Sequence, residues 1–300
     1  MSWLSAHIYF DGPLYEAAGD RVIIDDVAPL VARLRREKLI TKYFFIRYQD
    51  DGNHIRLRTW AESGADDTLR EVIESHLTSE ESLRRVSRVA WIPYSREVSR
   101  YGGENAIAIA EQFFQASSDL ATSILPAPGV AVDRGVRLAK GLLATLSLLH
   151  AFTRGSLDDT LAALRAHSEA IVRSRYGPTS AAERRLAALR KSAYMNVAGS
   201  REYIAETWRR LDAHEMVTSP LDRYRDELNR VRIALCDVAN SDHARTDGAA
   251  TPAATALLGL VRTSYAHMTC NRLGVSPIEE AYLSELGASG IMSMTSAVIA

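Results

Sequence analysis

Cysteine is scarce in this chain of 300 residues, which contains only Cys236 and Cys270. The two cysteines lie far apart and form no Cys-x-x-Cys pair, which argues against both a disulfide framework and a cysteine zinc site. The N-terminus also lacks the basic region and apolar run of a secretory signal. The sequence therefore predicts a cytoplasmic protein kept in a reducing compartment.

The chain also has no excess of charge of either sign, because 36 Lys and Arg residues balance 37 Asp and Glu residues, for a net charge of −1. Direct nucleic-acid binding is not expected without an excess of cations that neutralise phosphates. The longest apolar run, residues 141–152, is shorter than the roughly 20 residues of a membrane span. The chain has no dinucleotide fingerprint, P-loop, nucleophile elbow or His-Glu-x-x-His motif. We therefore expect no membrane span, cofactor or metal.

Aromatic and β-branched residues concentrate in the first hundred residues. Residues 3–10, 42–48 and 54–60 alternate as strands, and the last two are predicted to form a hairpin with a five-residue loop, 49–53. Between the first and second of these strands, apolar residues at positions 27, 30, 31 and 34 predict a helix that packs against the sheet.

The rest of the chain carries helical patterns. A capping box at Ser180 and Ser-Pro pairs at Ser219 and Ser276 predict helix starts, and Gly274 predicts a helix end. The fold class is therefore α+β, with an N-terminal, mostly antiparallel sheet and flanking helices followed by a predominantly α-helical bundle. We predict one domain over residues 1–300, with a sheet-containing part to about 100 and a helical part from about 101.

The strand at residues 54–60 carries the first candidate site. Alternation places Arg56 and Arg58 on one face and Ile55 and Leu57 on the other, with the two guanidinium groups roughly 6–7 Å apart. Two neighbouring arginines can hold a carboxylate or phosphate in bidentate geometry. The alternative is a solvated face of the sheet.

Arg96 and Arg100 precede a glycine pair and a predicted helix start. The N–H groups of a first helical turn favour bound anions, so these arginines are candidates for an anion site. The alternative is a simple turn in which Arg96 pairs with Glu97 or another surface acid.

His267 lies near the end of a predicted helix, four residues before Asn271. The two therefore share one side of that helix, at the boundary of its apolar stripe. This position suits a histidine that exchanges protons, although a structural role is the alternative.

Three segments together resemble a known family: FFIRYQDDGNHIRLR at 44–58, YSREVSRYGGENAIAIAEQFF at 94–114 and SYAHMTCNRLG at 264–274. They occur in the order and spacing of the glutamate-elimination domain of class I lanthipeptide dehydratases of the nisin type. That family includes stand-alone proteins of thiopeptide pathways. The resemblance runs from the first strand to Leu286.

This resemblance implies a lyase in the biosynthesis of a ribosomally made peptide. It would expel glutamate from glutamylated Ser or Thr of a precursor peptide with a leader, leaving dehydroalanine or dehydrobutyrine. The family's functional residues match Arg56, Arg58, Arg96 or Arg100, and His267. Because the chain starts at the elimination domain, a separate tRNA-dependent glutamylating protein is the expected partner. A homodimer is left open.

Two alternatives stay open at this point. Relatives on the same scaffold are pyridine synthases, which join two dehydroalanines by a formal [4+2] cycloaddition and release the leader peptide. Retention of both arginines and the histidine favours elimination over this reaction. A non-catalytic module could instead bind a leader peptide by strand addition at the edge of the sheet.

Overall fold

The computed structural model describes residues 3–61, 66–125, 130, 133–213, 219–241 and 251–299. The chain divides into two compact units, of which the first comprises Met1–Asp133 with Asn271–Gly274. The second comprises Arg134–Cys270 with Val275–Ala300. The predicted fold class is confirmed, because an antiparallel sheet is followed by mostly helical structure. That residues 1–300 act as one domain stays a prediction.

The first unit is built on four antiparallel strands in the order β2-β3-β1-β4. The strands are β1 (Trp3–Phe10), β2 (Ile40–Gln49), β3 (Asn53–Ala61) and β4 (Val86–Trp91). The first three strands were predicted, whereas the sequence analysis missed β4.

The predicted five-residue hairpin loop between β2 and β3 is wrong. Gln49 pairs with Asn53, so only residues 50–52 form the loop. Asp51 and Gly52 have φ values of 46° and 111°, the left-handed conformations that allow so short a turn.

Helices cover this sheet in the first unit. They are α1 (Ala17–Arg21), α2 (Ala28–Arg36), α3 (Asp66–Leu77) and α4 (Glu104–Ile124), with a π-helical turn (Val22–Val27) between α1 and α2. The predicted apolar stripe is confirmed on α2, where Leu30, Val31 and Leu34 are buried. As expected, α2 packs against the sheet, at β2, and α3 packs against α2 and β4.

The outer edge of β2 is closed by side chains rather than by a fifth strand. The backbone N–H groups of Tyr43, Phe45 and Arg47 point away from β3. Their acceptors are Gln115 Oε1 at 3.2 Å, Ser118 Oγ at 3.2 Å and Asn271 Oδ1 at 2.9 Å. The Asn271 amide also donates to the Arg47 carbonyl at 2.9 Å. The backbone groups at the β2 edge of the sheet are therefore hydrogen-bonded to side chains of α4 and to Asn271.

The second unit is helical throughout its described elements. These are α5 (Arg134–Thr153), α6 (Leu157–Tyr176), α7 (Ser180–Asn196), α8 (Arg201–Asp212), α9 (Pro220–Asn240), α10 (Pro252–Leu273, whose last three residues belong to the first unit) and α11 (Pro277–Ile299). α11 packs against α5, α6, α7 and α8. Gly290 permits its approach to α8, because a Cβ at this position would collide with Ile204. Each helix of the described chain is too short or too polar to cross a bilayer.

The predicted helix boundaries hold at three of four positions. Ser219 forms a capping box at the start of α9, α11 begins at Pro277, and Gly274, with a φ of 74°, follows the end of α10. The predicted box at Ser180 is wrong by one residue. Thr179 has the extended backbone of an N-cap and its hydroxyl accepts the capping hydrogen bond, whereas Ser180 is already helical.

Candidate active site

The face of β3 that carries Arg56 and Arg58 belongs to a mixed polar and aromatic face of the sheet. Ile55 and Leu57 are fully buried on the opposite face, as the alternation predicts. The strand register places His7 beside Arg56 and Ser5 beside Arg58 on β1. On β2, Phe44 and Ile46 are the neighbours of Arg58 and Arg56. Further members of this face include Trp3, Tyr9, Tyr48, His54 and Trp60.

Arg58 is a cation in an aromatic setting. Its guanidinium carbon lies 4.2 Å from the centre of the Tyr94 ring and 5.3 Å from that of Phe44. Its Nε is buried without a hydrogen-bond partner, and no carboxylate of the described residues forms an ion pair with it. Burial lowers the pKa of Arg58 to about 10, so it stays charged at neutral pH. A desolvated positive charge of this kind is a site for an anion.

Arg56 is held on three sides. Its Nη2 donates to Asp50 at 2.8 Å, and its Nε donates to His54 Nε2 at 3.1 Å. The guanidinium carbon also lies 3.4 Å from the centre of the Tyr48 ring. Its position next to Arg58 is therefore fixed before any ligand binds.

Two histidines support this arrangement, and sequence reasoning assigned a role to neither. The rings of His7 and His54 stack with centroids 4.8 Å apart. Burial, together with the charges of Arg56, His54 and Arg58, lowers the pKa of His7 to about 4, and burial also lowers the pKa of His54. With Nδ1 donating to the Gly52 carbonyl at 3.0 Å, a neutral His54 accepts the hydrogen bond from Arg56.

The structure gives Arg96 and Arg100 acidic partners. Arg96 forms a bidentate pair with Glu111 of α4, at 2.7 and 2.6 Å, and Glu111 is buried. Arg100 donates to Glu97 at 2.9 Å on the surface. The alternative that Arg96 pairs with an acid therefore describes the geometry, although the acid is Glu111 rather than Glu97.

His267 lies in the second unit, on a buried carboxylate. Its Nδ1 is 2.8 Å from Glu280 Oε2, and His167 Nε2 is 2.6 Å from Glu280 Oε1. Glu280 and His167 are buried, while the side chain of His267 is 28% exposed. Burial alone would raise the pKa of Glu280, but the two histidines outweigh it and lower that pKa to about 2. His267 is therefore oriented by an ionised carboxylate at its Nδ1.

His167 was not singled out from the sequence, because its partner lies on another helix, 113 residues away. Its Nδ1 is buried and has no hydrogen-bond partner among the described residues. His167 therefore contributes to the site through Nε2, on the carboxylate oxygen that His267 leaves unoccupied.

Comparisons with known proteins identify the family of this chain. Residues 3–289 match the family described as "Lantibiotic biosynthesis dehydratase C-term", and the chain belongs to that family. The resemblance predicted from the three segments is thereby confirmed. Over 126 residues the chain is 28% identical to the epidermin biosynthesis protein EpiB of Staphylococcus epidermidis, a match that covers 41% of this chain and 12% of EpiB.

Two solved structures share the fold. The tRNA-dependent lantibiotic dehydratase MibB from Microbispora sp. 107891 matches 99% of this chain with a TM-score of 0.65 and 20% identity, over 28% of its own length. The pyridine synthase TbtD from thiomuracin biosynthesis matches 99% of this chain and 100% of its own, with a TM-score of 0.70 and 16% identity. At these identities the likeness establishes the fold alone.

Proposed function

We propose that this protein is a lyase that expels glutamate from glutamylated Ser or Thr residues of a precursor peptide, leaving dehydroalanine or dehydrobutyrine. The observation that carries the proposal is the charge of Arg58, which is desolvated and has no described carboxylate partner. A glutamyl group supplies the carboxylate that this cation lacks.

Arg56 and Arg58 bind the glutamyl group and then the carboxylate that departs from Cβ. Fixed cations that meet developing negative charge need no rearrangement during the reaction, and such stabilisation is often the largest catalytic contribution. The hydrogen bond from Arg56 to His54 keeps the first guanidinium in place. Arg96 and Arg100 hold the adjoining segment through their ion pairs in this proposal.

His267 is the base. With Nδ1–H directed to Glu280, its other nitrogen, Nε2, takes the α-proton of the esterified residue. The electron pair of the Cα–H bond forms the Cα=Cβ double bond, and the Cβ–O bond breaks with its pair on the glutamate carboxylate. Glu280 then stabilises the imidazolium, as a buried carboxylate does behind other catalytic histidines.

This reaction needs a peptide that already carries a glutamyl ester. A separate, tRNA-dependent activity is the proposed source of that ester, since the structural relative MibB is itself a tRNA-dependent dehydratase. The product of that activity is the substrate of this protein, so the expected partners are a precursor peptide and a glutamylating protein.

The test is mass spectrometry of a precursor peptide with a preinstalled glutamyl-Ser ester. We expect wild type to remove a whole glutamic acid, and Arg58→Met and His267→Ala to lose this activity by about 100-fold or more. Arg88→Met is the matched control, since Arg88 lies on β4 beside Tyr9 but is exposed and paired with Asp51. Retained elimination in Arg58→Met would overturn the proposal.

A pyridine synthase is the second candidate, favoured by the match to TbtD over the full length of that protein. A peptide that already contains two dehydroalanines distinguishes the two reactions. Cyclisation of this peptide with release of its leader, while the glutamyl ester persists, would establish the second candidate. Inertness toward both peptides, with leader binding retained, would favour a binding module.

A further inference from the structure

A basic cavity of about 360 Å³ lies within the second unit, where α5 and α8 end beside α9. Its lining includes Arg154, Arg225 and Arg232, together with His150 and Asn229. None of these residues has a role in the proposed elimination. The volume is within the range of pockets that hold small molecules.

The three α9 residues reach the cavity because of their spacing. Arg225, Asn229 and Arg232 follow one another at i, i+4 and i+7, which places them on one side of the helix. The cavity therefore has a continuous row of hydrogen-bond donors along one wall.

Arg154 reaches the cavity from an unusual backbone conformation. It has a φ of 55°, which residues with a Cβ seldom adopt, and Gly155 follows with a φ of 77°. A Cβ on Gly155 would lie 3.4 Å from both His150 Nε2 and Asp212 Oδ1. The turn after α5 therefore lies in contact distance of these side chains, and it adds a third arginine to the lining of the cavity.

Arg232 lacks an acidic partner among the described residues. The side chain of Arg232 is half-buried and hydrogen-bonded to Cys236. Burial, together with the charge of Arg154, lowers the pKa of Arg232. Asp212, the acidic residue of the lining, is bound to His150 at 2.8 Å. Like charges are therefore held near one another in a partly enclosed space, an arrangement that a bound anion would stabilise.

We propose that this cavity binds a small anion through a phosphate or carboxylate group, with Arg154 and Arg232 as the principal cations. The guanidinium fork suits both groups, because it donates two parallel hydrogen bonds to a pair of oxygens. Asn229 supplies further donors, and Arg225, whose Nη1 lies 3.6 Å from Asp222 Oδ1, adds a third guanidinium to the lining. Such a site is separate from the anion site proposed at Arg58.

The test is isothermal titration calorimetry of the full chain with inorganic phosphate and, separately, with glutamate. We expect Arg232→Gln to weaken binding by about tenfold or more, the loss that follows from removing a charge-assisted hydrogen bond. Arg230→Gln is the matched control, because Arg230 is exposed on the same helix and pairs with Glu227 at 2.8 Å. This control variant should bind like wild type.

The two arms identify the source of the anion. Tighter binding of phosphate favours a phosphorylated ligand, and tighter binding of glutamate favours a free carboxylate. The glutamate arm is repeated in Arg58→Met, so that the site proposed for the lyase does not contribute. Equal affinities in wild type and Arg232→Gln, or no binding of either anion, would overturn the proposal. If Arg232→Gln fails to fold, the exposed Arg154→Gln takes its place.

Discussion

Two arginines of one sheet, Arg47 and Arg58, have opposite surroundings. Arg47 on β2 is fully buried, with Asp20 at 2.7 Å and the Leu14 carbonyl at 2.8 Å. Arg58 on β3 meets aromatic rings in place of an acid. The charge of the first arginine is therefore compensated within the fold, while Arg58 forms no ion pair with a carboxylate of the described residues.

We expect opposite stability effects from removing these two charges. Arg47→Met leaves Asp20 buried without its cation and should lower the free energy of unfolding by about 3–5 kcal/mol. Arg58→Met removes an uncompensated charge and should leave this free energy unchanged or raise it, while abolishing elimination. Urea denaturation of both variants is the measurement. A strongly destabilised Arg58→Met would show that Arg58 is structural.

Residue positions along one strand could be predicted, but contacts between strands could not. The period of two placed Arg56 and Arg58 on one face, and the structure agrees. The stacking of His7 on His54 depends on the register of β1 against β3, which no local pattern specifies. Likewise, the Arg96–Glu111 pair depends on how α4 packs.

Among the helical glycines of the second unit, Gly259 and Gly290 have opposite surroundings. Gly290 of α11 packs against Ile204. At Gly259 of α10, by contrast, an added Cβ would find no neighbouring atom within 4 Å. Both lie inside helices, where alanine is intrinsically favoured over glycine by roughly 0.5–1 kcal/mol. The two positions therefore separate helix propensity from packing.

We expect Gly290→Ala to destabilise the protein and Gly259→Ala to stabilise it. The collision with Ile204 should cost about 1–3 kcal/mol and exceed the gain in propensity. Gly259→Ala should gain about 0.5–1 kcal/mol, since nothing opposes the added methyl group. Thermal unfolding of the two variants gives the comparison, and a lower melting temperature for Gly259→Ala would contradict it.

Helix boundaries could be predicted from the sequence where a residue at the boundary itself caps or starts the helix. Ser219 and Pro277 mark helix starts because their chemistry acts within one turn. β4 was missed because it is only six residues long and partly exposed. Its pairing with β1, and not a local pattern of the sequence, makes this segment a strand. The hairpin loop was overestimated because pairing continues to Gln49 and Asn53.

The whole molecule should lose stability in acid in two successive ranges of pH. Between pH 6.5 and about 4, the unfolded chain binds a proton at His7 that the folded chain does not. Between pH 4.5 and about 2, the same holds for Glu280. The folded state is therefore disfavoured as the pH falls through each range.

Chemical denaturation measured across pH checks this expectation. His7→Asn should reduce the dependence between pH 6.5 and 4, where His54 still contributes, and leave the lower range as in wild type. Glu280→Gln should reduce the dependence between pH 4.5 and 2, and each variant serves as the control for the other. An unchanged slope in His7→Asn would mean that His7 is not held neutral.

An uncovered strand edge is a template on which other chains can assemble. In this sheet, side chains cover the backbone groups at the edge of β2. Gln115, Ser118 and Asn271 occupy the groups that an incoming strand would pair with. Asn271 lies 224 residues after Arg47, so a growing chain exposes part of this edge until α10 has been synthesised. Nascent or truncated chains are therefore the forms in which we expect β2 to recruit neighbouring copies into aggregates.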